Sequence, residues 1–192
     1  MKMTKMQSLA AVCSLVLPMA FTAAHAQTND SDQDKTFLMK ASQGGMAEVQ
    51  LGQLAADKAQ NPQVKAFGEK MVRDHSTLDN ELKPFADRAG VPPPTGLSEE
   101  DQAEIDKLKG LSGAEFDRAY VADMMKDHKH DQEAFKQEIA STQNPKLKMA
   151  VKHGLTVIDQ HLAIITKIGA RMGVQAASLQ GQPVGHPELA GR

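Results

Sequence analysis

The stretch Gln60-Asn61-Pro62-Gln63-Val64-Lys65 returns later as Gln143-Asn144-Pro145-Lys146-Leu147-Lys148, and these two hinges decide the fold. In each, the asparagine side chain can cap the free N–H groups of a helix start. Proline suits the first helical position, where its missing N–H removes nothing. Long runs with apolar residues at spacings of three and four flank both hinges, which is the period of an amphipathic helix. The expected helices run from about Asp34 to Gln60, Pro62 to Ala89, Gly113 to Thr142 and Pro145 to Met172. The chain therefore reads as two helical hairpins.

The hairpins are joined by a long connection. Gly90-Val91-Pro92-Pro93-Pro94-Thr95-Gly96 ends the second helix, because proline lacks a donor and disfavours helical geometry in the residue before it. Ser98-Glu99-Glu100-Asp101 then caps a short helix to about Lys109, which Gly110 to Gly113 breaks. Such a connection can cross the length of a bundle, as between the halves of a ferritin-like fold. No strand pattern appears. The expected class is all-α, a ferritin-like four-helix bundle of two hairpins with a long crossover containing a short helix.

Residues 1–26 read as a signal peptide. Lys2 and Lys5 give a basic start, Ser8 to Phe21 is mostly apolar, and Ala24-His25-Ala26 supplies the small residues for cleavage before Gln27. The apolar run is shorter than the ~20 residues of a spanning helix, so an exported, periplasmic protein without a transmembrane segment is expected. Ala10-Ala11-Val12 before Cys13 lacks a lipoprotein pattern. Residues 27–33 form a linker, 34–172 the bundle domain, and 173–192 a flexible tail rich in Gly, Gln and Pro.

The only cysteine leaves with the signal peptide, so any metal must be held by nitrogen and oxygen. The formal charge of −2 becomes two units more negative without Lys2 and Lys5, with no basic stripe for nucleic acid. There is no nucleophile triad or phosphate-binding glycine loop to suggest hydrolysis or phosphoryl transfer.

Each long helix carries one ionisable residue in its apolar stripe. Glu48 follows Phe37, Ala41 and Gly44; His75 follows Val64, Phe67 and Met71; His128 follows Val121 and Met125; His161 follows Leu155 and Ile158. Glu48 lies 13 residues before Asn61 and His75 lies 14 after it, whereas His128 and His161 lie 16 before and 17 after Asn144. At ~1.5 Å per residue, all four fall near the bundle midpoint. Two readings of Glu48, His75, His128 and His161 stand. They form the shell of one divalent first-row transition metal ion (iron, zinc, copper or manganese), or a buried hydrogen-bonded network that fixes the register. Asp74 and Asp127 are read as surface residues, with orientation of an imidazole as the alternative. His153 sits at a stripe edge, and His130 and His186 are expected in solvent. Met71 and Met125 are read as core filler rather than copper ligands. Gly44, Gly45 and Gly52 either admit a neighbouring helix or leave room beside Glu48, and close packing is the preferred reading.

Val72-Arg73-Asp74-His75 and Met125-Lys126-Asp127-His128, with Phe116-Asp117-Arg118-Ala119-Tyr120 and His161-Leu162, carry a family resemblance. From about Asp32 to Gly173 the chain resembles the bacterial exported family called domain of unknown function 4142. The resemblance implies a ferritin-like bundle and an exported location, and it carries no established activity. Di-iron bundles use Glu-x-x-His motifs, but the residues three before the histidines are Val72, Met125 and Ile158. One ion in a histidine-rich shell is therefore expected over a dinuclear centre. The leading functional reading is a binding or envelope stress-related protein, more in keeping with a non-enzyme. A metal-dependent oxidase or peroxide scavenger, and a structural bundle with a protein partner, are the alternatives.

Overall fold

The computed structural model describes residues 31–174; the expected signal peptide and most of the expected tail lie outside them. Among the described residues there are five helices and no strand: α1 (Asp32–Lys58), α2 (Pro62–Ala89), α3 (Glu99–Gly110), α4 (Gly113–Ser141) and α5 (Pro145–Met172). The fold is all-α, as expected. Helix α1 starts two residues earlier than the pattern suggested, because Ser31 and Asp34 form a reciprocal capping box that draws Asp32 and Gln33 into the first turn.

Both hinges are built as their sequences imply. Asn61 Oδ1 accepts from Gln63 N at 2.8 Å, and Asn144 Oδ1 accepts from Lys146 N and Leu147 N at 3.1 and 3.2 Å. Proline opens α2 and α5. At the far ends of these helices, Gly90 and Gly173 take left-handed φ values of 74° and 67°, which side chains with a Cβ rarely adopt.

Contacts between chain ends fix the direction of each helix. Asp117, at the start of α4, accepts from Gln60 N and Asn61 N at 3.2 and 2.8 Å, so α4 begins beside the first hinge. Gln33, at the start of α1, donates to Ser141 Oγ at 2.7 Å, so α4 ends where α1 begins. Helices α2 and α4 therefore run parallel, and the crossover carrying α3 returns the chain along the bundle. Each neighbouring pair, α1 with α2, α2 with α5, α5 with α4 and α4 with α1, is antiparallel. The Phe116–Tyr120 segment now has a structural use: Phe116 and Tyr120 are fully buried while Asp117 ties α4 to the hinge.

At the α1–α2 crossing two glycines meet. A Cβ on Gly68 would lie 2.6 Å from the Gly52 carbonyl oxygen, and one on Gly52 would lie 2.9 Å from the Gly68 carbonyl. Gly52 thus serves close packing, and Gly45 is covered by the Asp79 carboxylate. Gly44 departs from the expectation, since no atom lies within 4 Å of its added Cβ and it lines an open cleft.

The core is divided into two apolar clusters. One, near the first hinge, includes Leu51, Phe67, Met71, Leu108, Phe116, Met124 and Ile165. The other, near the second hinge, includes Phe37, Leu38, Leu82, Phe135, Leu147 and Ile158. Met71 and Met125 are buried filler, and Met149 is exposed. Between the clusters lies a polar layer.

Candidate metal centre

The polar layer is made by the in-stripe residues of the four long helices. Packing of apolar neighbours one turn above and below holds His75, His128 and His161 inside, with exposures of 4%, 0% and 0%. Their ring centroids lie 5.2 to 5.7 Å apart, so three helices deliver their imidazoles to one point. Phe67 closes the hinge side of the layer against His128 and His161.

Each ring is oriented by a partner on its outer nitrogen. His75 Nδ1 lies 2.7 Å from Glu48 Oε2, His128 Nδ1 lies 3.0 Å from the Met124 carbonyl oxygen, and His161 Nε2 lies 2.7 Å from Asp74 Oδ2. The remaining nitrogens point inward. His128 Nε2 stands 3.3 Å from His161 Nδ1, and His75 Nε2 has no hydrogen-bond partner. One ligand atom from each of the three rings lies within 4.8 Å of the others. Glu48 stands on the outer side of His75, with its second oxygen 3.6 Å from His128 Nδ1, and lies outside that compact set.

Asp74 corrects the surface reading given to it. It faces away from its neighbour His75 and reaches across to His161 on α5, while Lys70 binds the same carboxylate at 2.6 Å. Asp127 points toward Glu104 of α3 rather than toward an imidazole. Asp131, four residues on, contacts Glu48, a partner that the sequence does not reveal because Asp131 stands at the edge of its helix stripe. His153 is exposed and pairs with Glu81 at 2.7 Å, and His130 is exposed. His186 lies outside the described residues.

Burial sets the charge states. It pushes His75 below its ordinary value, His128 well below it, and His161 down to about 4 despite the Asp74 contact, so the rings are neutral at pH 7. Burial works against Asp74 as well, but hydrogen bonds from Lys70 and His161 hold it below the usual carboxylate range. Glu48 goes the other way, raised by burial to about 8 although contact with Asp131 opposes the rise. Neutral imidazole is the form that ligates metals, and a carboxylate or carbonyl on the outer nitrogen fixes tautomer and ring angle.

Among solved structures, the crystal structure of a DUF305 fragment from Deinococcus radiodurans has a similar fold, with a TM-score of 0.66 and 14% sequence identity. The similarity covers 74% of this chain and 98% of that one. None of the curated proteins compared with the chain matches it. The family model described as domain of unknown function DUF4142 matches residues 19–168, and the chain belongs to that family.

Proposed function

We propose that the protein is an exported helical bundle that binds one divalent first-row transition metal ion through His75 Nε2, His128 Nε2 and His161 Nδ1. Hydrogen-bond accounting carries this reading. The Met124 carbonyl only accepts, so His128 Nδ1 holds the proton and its Nε2 is bare when the ring is neutral. Asp74, kept ionised by Lys70, likewise accepts a hydrogen bond from His161 Nε2–H and leaves Nδ1 bare. Two lone pairs then face each other across 3.3 Å. A proton placed between them would create a buried imidazolium, which burial opposes in both rings. A metal ion satisfies both nitrogens and also occupies the unpartnered His75 Nε2.

The spacing suits such an ion. Metal–nitrogen bonds of ~2.0–2.1 Å in tetrahedral geometry place ligand atoms roughly 3.3 Å apart. The His128–His161 pair stands at that distance, and a rotation of His75 closes the remainder. In this reading Glu48 acts as the acceptor that orients His75 rather than as the fourth ligand expected from its place in the stripe. Three imidazoles leave a further coordination position to water or a small ligand. Export is supported by the basic start, apolar run and Ala24-His25-Ala26 segment, with the bundle as the exported domain. No helix among the described residues is long and apolar enough to cross a membrane.

A second reading, a metal-dependent oxidase or peroxide scavenger, is favoured by one observation: a cleft lined by His75 and Glu48 opens to solvent, giving a small oxidant a path to the centre. Metal analysis of untagged protein, loaded separately with iron, zinc, copper and manganese, decides the main proposal. We expect one ion per chain, lost in His128→Ala and in His161→Ala. Failure to retain any of the four ions would leave the hydrogen-bonded network instead. Nitrogen NMR of the metal-free rings adds an independent check, because the network requires an imidazolium at pH 7. Peroxide or oxygen consumption by the loaded protein separates enzyme from binding protein.

A further inference from the structure

The cleft between α1, α3 and α4 holds a second ionisable cluster, of which the histidine centre uses only Glu48. It has a volume of about 860 Å³, and eight carboxylates line it against three lysines. Four of the carboxylates meet as two pairs: Glu48 of α1 faces Asp131 of α4, and Glu104 of α3 faces Asp127 of α4. Asp127 and Asp131 are one turn apart on α4, so the pairs lie one above the other. Two carboxyl groups that face each other repel unless a proton or a cation lies between them. The neighbouring Lys107 is engaged by Asp123 at 2.9 Å.

Unpartnered oxygens mark the same place. Glu48 Oε1, Glu104 Oε1 and the Tyr120 hydroxyl are buried with no hydrogen-bond partner. Glu48 is 7% exposed and lines the cleft, while Tyr120 is fully buried and its hydroxyl lies within electrostatic reach of Glu48 and Glu104. Helices α1 and α3 thus bring buried carboxylate oxygens to this seam without a hydrogen-bond partner.

We infer that this cleft is a second cation site, taking a hard divalent ion such as Ca²⁺ on the carboxylates of Glu104, Asp127 and Asp131, with Glu48 beneath them. An all-oxygen donor set is what hard cations select, in contrast to the nitrogen set of the histidine layer. Among the described residues only the three histidines gather their ligand atoms within 4.8 Å, so the carboxylates surround a wider space. Ca²⁺ accommodates that, because it takes 6–8 oxygens at ~2.3–2.6 Å in irregular geometry and fills vacant positions with water. The ion would also relieve the repulsion between the facing carboxyl groups.

Calorimetric titration of the purified protein with Ca²⁺ tests the site. We expect binding with a Kd below about 1 mM, accompanied by a rise in Tm. Glu104→Gln combined with Asp127→Asn should weaken binding by at least about tenfold, since each amide keeps the shape and removes the charge. Circular dichroism verifies the fold of each variant, and Asp127→Asn alone serves if the double variant loses helicity. His161→Ala should leave the Ca²⁺ isotherm unchanged, which separates this site from the histidine centre. No Ca²⁺ binding up to about 1 mM, retained affinity in the amide variants, or loss of binding in His161→Ala would each overturn the proposal.

Discussion

The histidine layer and the carboxylate cleft are adjacent, both are built from buried ionisable side chains, and they are organised in opposite ways. In the layer, every imidazole has an acceptor on its outer nitrogen: Glu48, the Met124 carbonyl or Asp74. In the cleft, carboxylates face carboxylates, and buried oxygens of Glu48 and Glu104 have no donor. The difference teaches what each region lacks. The histidines need only something at their centre, since their orientation is already set; the facing carboxyls need a proton or a cation between them. Glu48 belongs to both regions, one oxygen on His75 and its carboxyl against Asp131.

The most severe way to break the contrast is to remove an outer acceptor. In Asp74→Ala, His161 Nε2 loses its partner at 2.7 Å and the ring is free to change tautomer or rotate. Loss of such a hydrogen bond typically lowers metal affinity by ~10–100-fold. Competition with a chelator of known affinity would measure it. Because the Asp74 side chain is 24% exposed, its removal opens no sealed cavity, and helicity should be unchanged. Equal metal affinity in Asp74→Ala and wild type would show that the outer acceptors are incidental.

The two regions also respond to pH with opposite sign. His161 is depressed to about 4 by burial from an ordinary 6.5, so its contribution to stability is present above pH 6.5 and is lost as pH falls toward 4. The carboxylate side behaves in reverse, and Glu138, far along the same α1–α4 seam, isolates the effect. Burial and the facing Asp34 raise it from 4.5 to about 7, so the folded state binds its proton more tightly than the unfolded chain does. Its contribution is full below pH 4.5 and disappears as pH rises through 7. Glu138→Gln should therefore raise stability at pH 8 by roughly 1–3 kcal/mol and flatten the fall in Tm between pH 5 and 8. Thermal melts across that range test it; a variant less stable than wild type at pH 8 would refute the assignment.

Most of the bundle was legible because its determinants are local. Asn-Pro hinges and a period near 3.6 are properties of one segment at a time, and they located the helices and put Glu48, His75, His128 and His161 at one level. Asp74 reads as a surface residue because a residue next to His75 on a helix points elsewhere. It does point elsewhere, and what it meets is His161 on another helix. The partners of Asp131 and Glu104 are hidden from the sequence for the same reason. Each stands at the edge of its own stripe, and only the packing of α3 over α1 and α4 brings them to their partners. Single-helix periodicity reports which face turns inward; it carries no information about pairs assembled across a seam. Leu38 and Ala47 are buried off the expected stripe because α1 is covered from more than one side.

The smallest predicted effect sharpens the comparison from the backbone. Gly44 and Gly52 are both interior to α1, yet a Cβ at Gly52 would meet the backbone of α2, whereas one at Gly44 would have nothing within 4 Å. If the cleft is open space rather than an unfilled contact, Gly44→Ala should gain most of the ~1 kcal/mol by which alanine is favoured over glycine in a helix. That corresponds to a few degrees in Tm. Gly52→Ala should lose more than that gain, because the α2 backbone cannot yield without shifting the helix that carries His75. A stabilised Gly44→Ala with unchanged metal content would show that the cleft side of α1 is free of packing constraint. Destabilisation there would mean that the cleft closes in solution and that its carboxylates are drawn closer than their present separation.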